Sequence, residues 1–414
     1  MLDINFIREN QDFARNALKK RKVDVNVDEL LKIDEERRKL IGQVEGLRKE
    51  RNFLSKQGKE GNFARAKEIK KEISKIEPIL KKTSEKLEQI LFTLPNFPDP
   101  EVPSGESEKD NKIIRKWGEP RIFDFQFRDH EAIGKDLDII DIERGSKVSG
   151  TGFYYLKNKG ALLEMALMNY AINKACEKGF QFLLTPDLVK KQAMIGTGFF
   201  PADENEVYKI DKDGLYLIGT AEVPLASYRS GEIIKEEELP LYYAGFSSCF
   251  RREAGAYGKE TKGVFRMHQF NKVEMFVICR PEEAKKEHER ILGISEEIMQ
   301  ELKIPYEIVL NCLGDLGFPN QKRYDLNAWM PFWNGYRETH SASNDGDFQT
   351  RRLGLRYRTK TGDIQFCHTL NNTTIASPRI LIAILENYQE KDGSVKIPEV
   401  LHPYLKFKEI RKRT

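Results

Sequence analysis

The sequence predicts an α+β protein: an antiparallel β-sheet flanked by helices, preceded by an N-terminal antiparallel coiled-coil arm. Three observations lead there. Two apolar seams of heptad spacing run between Ile33 and Leu94, with glycines between them. Eight strand-like segments then recur between residues 208 and 370. Most are close neighbours in the chain, which favours antiparallel pairing over a doubly wound parallel sheet. The phosphate loops of parallel nucleotide-binding folds, G-x-x-x-x-G-K-[ST] and G-x-G-x-x-G, are both absent.

The totals set bounds. A chain of 414 residues has room for two or three domains and a large core. Charged residues make up 32% but the net charge is only +4, so any contact with nucleic acid must come from a local patch. Cys176, Cys249, Cys279, Cys312 and Cys367 have no zinc-ligand spacing, and five reduced thiols are expected. No signal peptide opens the chain and no apolar run approaches the roughly 20 residues of a membrane span. A soluble, cytoplasmic protein with no membrane partner is expected.

Taken in order, residues 2–22 read as one short amphipathic helix with Ile4, Ile7 and Leu18 as apolar contacts. From Ile33 the positions Arg37, Leu40, Val44, Leu47, Arg51 and Leu54 alternate four and three apart, as coiled-coil contacts do. Residues 57–62, with Gly58 and Gly61, break this helix. A second seam follows at Ala66, Ile69, Ile73, Ile76, Leu80, Thr83, Leu87, Ile90 and Leu94. Two helices of about 30 residues, each roughly 45 Å long, pair antiparallel when a short turn joins them. Pro78 is the misfit, because it deletes a mid-helix bond and is expected to kink the second helix. Residues 48–75 carry ten basic side chains against four acidic ones, a candidate phosphate-binding surface. A solvated coiled coil is the plainer reading of the same charges.

Pro95, Pro98, Pro100 and Pro103 mark a linker ending near residue 110. The expected organisation is an N-terminal domain, 1–110, with its arm at about 28–94, and a second domain, 111–414. Within the latter, residues 146–156 read as a strand. Residues 161–178 read as a helix burying Leu162, Ala166, Leu167, Tyr170 and Ala171. Residues 179–186 read as a strand closed by Pro186.

Residues 247–276 read as strand, loop, strand. The loop carries Arg251, Arg252, Glu253 and the glycines 255, 258 and 263, and the chain returns from Val264 to Ile278. Period two places Phe270, Lys272, Glu274 and Phe276 on one face. An Arg and a Glu at one lip, with an aromatic and a carboxylate beside them, suit an anionic nucleotide and a second polar ligand. A solvated hairpin with surface ion pairs is the alternative. Further on, Ser377 is placed to cap a helix running to Tyr388, with Pro378 and Arg379 in its first turn. Backbone N–H groups, helix dipole and guanidinium would converge there on an anion.

The order F-R-x-E, glycine loop, R-M-H-Q-F, K-V-E-M resembles motif 2 of the class II aminoacyl-tRNA synthetases, nearest to the seryl-tRNA synthetases. The resemblance extends to residues 179–186 (motif 1), Thr220-Ala221-Glu222, residues 338–352 and residues 371–389 (motif 3), and covers nearly the whole chain. It implies a class II synthetase catalytic domain that joins L-serine to tRNA(Ser) through a seryl-adenylate, and to tRNA(Sec) where that tRNA exists. ATP is the implied co-substrate, Mg²⁺ the implied metal, and a homodimer the implied assembly.

Residue by residue, the resemblance puts Arg251 on the α-phosphate, Arg379 on the γ-phosphate and Glu253 at the adenine or ribose; these three are the implied catalytic residues. Phe270 stacks on adenine, and Arg252, Glu338, Thr339, His340 and Ser341 complete the implied ATP site. Glu338 and Ser341 would hold the metal. Three apart on a regular strand they would face opposite ways, so this role demands a β-bulge or an irregular strand end. Thr220, Ala221 and Glu222 would close over serine and bind its ammonium, while Glu274 and Thr373 would bind its hydroxyl. Lys56, Lys59, Lys67, Lys70 and Lys71 are the implied tRNA contacts. Asn371-Asn372-Thr373-Thr374 departs from the usual Asn-Gly-Ser-Gly, and Asn372 in a glycine position is expected to alter the local turn. His268 is expected to be structural, and no editing domain is expected. A carrier-loading homologue and a catalytically dead RNA-binding paralogue are the rival readings.

Overall fold

The computed structural model describes residues 1–57, 60–254 and 262–412. The chain divides into two compact units, Met1–Phe97 and Pro98–Thr414. The proline-rich segment after Phe97 belongs structurally to the second unit: Asp99 donates its N–H to Gln321, and Leu313 donates to Pro103.

In the first unit, the helix expected over residues 2–22 is two helices, α1 (Ile4–Glu9) and α2 (Gln11–Lys20). Asn10 leaves helical geometry (φ −127°, ψ 51°) and its amide donates to the carbonyl of Phe6 at 3.1 Å. A short polar side chain that competes for backbone partners is a natural break point. Ile7 and Leu18 are buried against Leu30, Ile33, Leu87, Leu91 and Leu94, with Ile4 at the rim.

The two long helices are α3 (Val27–Gln57) and α4 (Glu60–Phe92). Every described residue of both heptad seams is buried or half-buried, while the positions between are mostly exposed. The helix runs continuously through Pro78, whose exposed position lets water satisfy the carbonyl that loses its donor. Arg48 reaches Glu77 at 2.9 Å, and Arg65 reaches Glu50 at 2.9 Å and Glu72 at 2.8 Å. Exposed pairs of this kind add little stability. Their consequence is that the acidic groups are used up by arginines: among the described residues, Lys56, Lys67, Lys70 and Lys71 are exposed and carry no ion pair. Gly58 and Lys59 lie outside the described residues.

The second unit is built on an eight-stranded sheet. Its strands are β1 (Lys112–Trp117), β2 (Gln181–Leu184), β3 (Leu241–Phe250), β4 (Gln269–Cys279), β5 (Tyr306–Leu310), β6 (Lys322–Met330), β7 (Gly335–Gly346) and β8 (His368–Ala376). They stand in the order β1-β5-β6-β7-β8-β4-β3-β2, antiparallel throughout except for the β2–β3 pair at one edge. Helices Asn158–Glu177, Ala284–Glu301 and Ser377–Asn387 share one apolar core with Val273, Met275 and Val277 of β4. The alternate side chains Phe270, Lys272, Glu274 and Phe276 are thereby left on the opposite face.

Two readings change. Residues 146–156 are not a strand: Ser146 to Ser149 end a helix (Ile142–Ser149) capped by Asp141, and only Tyr155–Leu156 is extended. Gly150 at φ 93° and Gly152 at φ 86° turn the chain between them. In the helix Asn158–Glu177, Leu162 is exposed and Leu163 takes the core position.

Candidate active site

The sheet face opposite the helices holds a cavity lined by Arg251, Glu253, Phe265, Arg266, Met267, Phe270, Lys272, Arg323, Glu338, Thr339, Ser341, Thr373, Ala376, Pro378 and Arg379. Five cationic side chains against two carboxylates make it a site for a polyanion.

Two bulges aim the side chains. In the β6–β7 ladder Leu326 faces His340 and Asn327 faces Glu338, so Thr339 is an extra residue and Glu338 and Ser341 share a face. In the β4–β8 ladder Val273 faces Ile375 and Glu274 faces Thr373, leaving Thr374 extra. This sets Thr373 directly across from Glu274, with its hydroxyl directed at the carboxylate. His340 lies between the bulges, away from the cavity and 1% exposed: Nε2 donates to Thr374 O at 3.1 Å and Nδ1 sits 2.9 Å from Thr339 Oγ1. Burial pulls its pKa down to about 4. The ring is a strut, and its expected place on the cavity wall is not observed. Nor does Arg252 line the cavity; it is exposed and anchored through its backbone N–H to Glu206.

Arg379 is the third residue of the helix Ser377–Asn387, whose first turn opens on the cavity. Ser377 does not cap that helix. It is the first helical residue, and its hydroxyl accepts from the N–H of Asn271 at 3.4 Å. Arg379 donates to the carbonyl of Glu338 and to its Oε2, and its guanidinium stacks 4.6 Å from the Phe265 ring centroid. Arg251 lies 5.2 Å from the Phe270 centroid and donates through Nε to Gly219 O at 3.3 Å. Glu253, at φ 50°, accepts from Arg266 at 3.2 Å. His268 accepts no role in the cavity; Nδ1 donates to Arg251 O at 2.8 Å and the ring stacks on Phe153.

Beside Thr373 the polarity reverses. Lys272 and Glu274 pair at 2.5 Å, and burial pushes the Glu274 carboxyl above its ordinary range. Nearby, Glu222 opens the helix Glu222–Ser227 and is pushed up to about 8 by burial, with Asp345 and Glu274 adding like charge. Gln349 fixes its orientation, donating to Oε1 at 2.7 Å while accepting from Thr369 at 2.9 Å. Asp345 is itself buried between the amides of Asn320 (2.6 Å) and Asn371 (3.2 Å). Three acidic groups stand near one lysine, each with its pKa raised by burial, and a bound ammonium group would favour their ionised forms. Thr220 serves this turn by accepting from the Glu222 N–H at 3.1 Å, and Ala221 packs in an apolar cluster with Leu225 and Phe276.

Asn372 does not disturb a turn, because residues 371–374 lie in β8. Its side chain points to the core face and donates to Ile291 O at 2.6 Å and Ser295 Oγ at 2.8 Å. Arg266, Arg323, Lys272 and Gln349 were not among the expected site residues. For Lys272 the signal was present in its alternation with Phe270 and Glu274; Arg323 and Gln349 arrive by long-range pairing and carry none.

Residues 1–98 match the family model described as seryl-tRNA synthetase N-terminal domain, and residues 207–388 match the class II tRNA synthetase core domain for G, H, P, S and T. The serine–tRNA ligase of Dictyoglomus turgidum is 43% identical, with 99% of each chain covered. The chain belongs to the serine–tRNA ligase family. Family members from Treponema denticola and Deinococcus radiodurans are also 43% identical over 99% of the chain. The solved seryl-tRNA synthetase of Pyrococcus horikoshii, complexed with ATP, superposes with a TM-score of 0.93 at 42% identity and full coverage of both chains. The Naegleria fowleri cytoplasmic serine–tRNA ligase, complexed with AMP, gives 0.89 at 34% identity, covering 100% of this chain and 99% of that one. The protein is thus a class II aminoacyl-tRNA synthetase with the antiparallel sheet and helical arm that the motifs implied.

Proposed function

We propose that the protein uses ATP to activate L-serine as seryl-adenylate and transfers the seryl group to tRNA(Ser), and to tRNA(Sec) where that tRNA exists. The observation that carries this reading is the junction of two opposite subsites on one sheet face: an arginine-lined cavity running into a buried pair, Glu274 and Thr373.

In this reading the triphosphate lies among Arg251, Arg266, Arg323 and Arg379, with the base on Phe270 and against Glu253. The serine ammonium meets Glu222 and the hydroxyl meets Glu274 and Thr373. The serine carboxylate, already ionised at neutral pH, attacks the α-phosphorus; the P–O bond to pyrophosphate breaks and its electron pair leaves with pyrophosphate. No protein base is needed, so the residues act by alignment and charge neutralisation. A ribose hydroxyl at the tRNA terminus then attacks the seryl carbonyl and AMP departs.

Glu338 and Ser341, brought to one face by the bulge at Thr339, present a carboxylate and a hydroxyl to the cavity. This oxygen-only pair fits Mg²⁺, which keeps waters and phosphate oxygens as its other ligands. When bound, the ion would neutralise phosphate charge. Among the described residues no cluster of three His, Cys, Asp or Glu forms a metal cage of its own.

Lys56, Lys67, Lys70 and Lys71, which carry no ion pair among the described residues, are with Lys59 the proposed tRNA contacts of the arm. A homodimer is supported by exposed Leu162 (55%), Met165 (52%) and Leu184 (78%), on the adjoining helix Asn158–Glu177 and strand β2. A cytoplasmic location accords with five unpaired cysteines, four of them buried. No described helix is long and apolar enough to cross a membrane. Mass-spectrometric detection of seryl-adenylate from enzyme, ATP and serine tests the first step; if serine and ATP yield no adenylate, the reading fails.

A further inference from the structure

Outside the cavity, a fully buried pair in the second unit joins His130 and Glu386, both 0% exposed. His130 opens the helix His130–Asp136, and Glu386 lies two turns beyond Arg379 on one face of the helix Ser377–Asn387. Glu386 Oε1 accepts from His130 Nδ1 at 2.9 Å and from the His130 backbone N–H at 3.2 Å, while Oε2 accepts from the N–H of Phe332 at 3.0 Å. On the far side of the ring, the N–H of Val264 donates to His130 Nε2 at 3.3 Å. A backbone N–H can only donate, so Nε2 is the acceptor and the ring is the neutral Nδ1–H tautomer.

The four residues leading back from the motif 2 loop are each docked on this wall. Lys262 pairs with Asp129 at 2.7 Å and lies over the Phe332 ring at 3.9 Å. Gly263, at φ 61°, passes so near the imidazole that a Cβ would sit 2.1 Å from Nε2, so no other residue fits. Val264 takes the hydrogen bond, and Phe265 packs 5.1 Å from Trp333, whose indole is itself stacked on His130. The opposite side of this chain of contacts is the cavity, where Phe265 carries the Arg379 guanidinium and Arg266 holds Glu253. One helix face therefore grips the nucleotide wall at two points, directly through Arg379 and indirectly through Glu386.

We propose that His130 and Glu386 are positioning residues for ATP: by accepting from Val264, His130 fixes the segment that presents Phe265 and Arg266 to the cavity. The inference rests on the ATP-site reading above, and its test separates the two. His130→Gln retains an acceptor near the Nε2 position, whereas His130→Asn retains a donor near Nδ1 and leaves Val264 unpaired. Both lose the ring stack and trade opposite bonds, Gln giving up the donor to Glu386 and Asn the acceptor for Val264, so the comparison weighs the Val264 bond against the Glu386 bond. In ATP–pyrophosphate exchange, His130→Asn should raise the KM for ATP roughly three- to tenfold over His130→Gln, as expected for one lost neutral hydrogen bond, with the KM for serine unchanged. Trp333→Leu, at a half-buried position, loosens the same wall and should give the same ATP-selective rise even if a His130 variant fails to fold. Equal ATP KM values for the Asn and Gln variants, or a parallel rise for serine and ATP, would overturn the proposal. Wild-type protein without serine-dependent exchange would instead overturn the function on which it rests.

Discussion

Arg379 holds Glu338 at two points: Nη1 donates to the Glu338 carbonyl at 2.7 Å and to Oε2 at 3.0 Å, while Arg323 occupies Oε1 at 3.0 Å. Burial opposes ionisation here, but Arg379 and Arg323 outweigh it and bring the carboxyl down to about 2. Glu338 is therefore ionised wherever the protein works. Glu338→Gln keeps the shape and removes the charge, and should lower pyrophosphate exchange by about a hundredfold, the scale for loss of one charge-stabilising group. Near wild-type exchange by this variant would make Glu338 scaffold only.

Arg251→Ala should cost exchange about a hundredfold or more for the same reason. Arg379→Ala should act mainly through the KM for ATP. Retention of normal exchange by both variants would place the phosphates elsewhere.

The amino-acid subsite should respond to pH in a defined direction. Glu222 is raised to about 8 by burial and by neighbouring Asp345 and Glu274, so in the free protein it is protonated below that value. Binding an ammonium requires the carboxylate, so a proton must be released and the KM for serine should rise as pH falls below about 8, approaching tenfold per unit. Glu222→Gln should flatten this dependence while weakening serine binding. A serine KM independent of pH in the wild-type protein would contradict the assignment.

Asn372→Gly tests the two faces of β8. The Asn372 amide holds Ile291 O and Ser295 on the core side, while Thr373 faces the cavity. The variant should lose about 1–3 kcal/mol of stability, the cost of orphaning buried partners, and keep its discrimination of serine from threonine. Loss of discrimination at unchanged stability, read by exchange and by thermal melting, would reverse that division.

The arm was legible because its periodicity is local: Ile33 to Leu94 announce both seams, and a short turn leaves one way to pair. The face carrying Phe270, Lys272 and Glu274 was equally legible from alternation. What alternation hides is the bulge. Glu338 and Ser341 share a face only because Thr339 is inserted against β6, a property of pairing between strands, and the same insertion turns His340 away from the cavity. Likewise Asn10 splits a helix whose apolar spacing is unbroken, leaving helical geometry while its side-chain amide joins its backbone N–H on the Phe6 carbonyl.

Replacing Lys56, Lys59, Lys67, Lys70 and Lys71 with alanine should leave pyrophosphate exchange intact, since the residues lining the cavity all belong to the second unit. Binding of tRNA should weaken and its salt dependence should flatten, because fewer counterions are released. Unchanged affinity and an unchanged salt slope would remove the arm from tRNA recognition and favour a carrier-loading reading.

Pyrophosphate exchange measured with each of the twenty amino acids tests the central claim most directly. Alanine leaves Glu274 and Thr373 without their hydroxyl partner, and threonine adds a methyl to a subsite closed by buried residues. Serine alone should give strong exchange. Equal exchange with alanine or threonine, or strongest exchange with any other amino acid, would contradict the account.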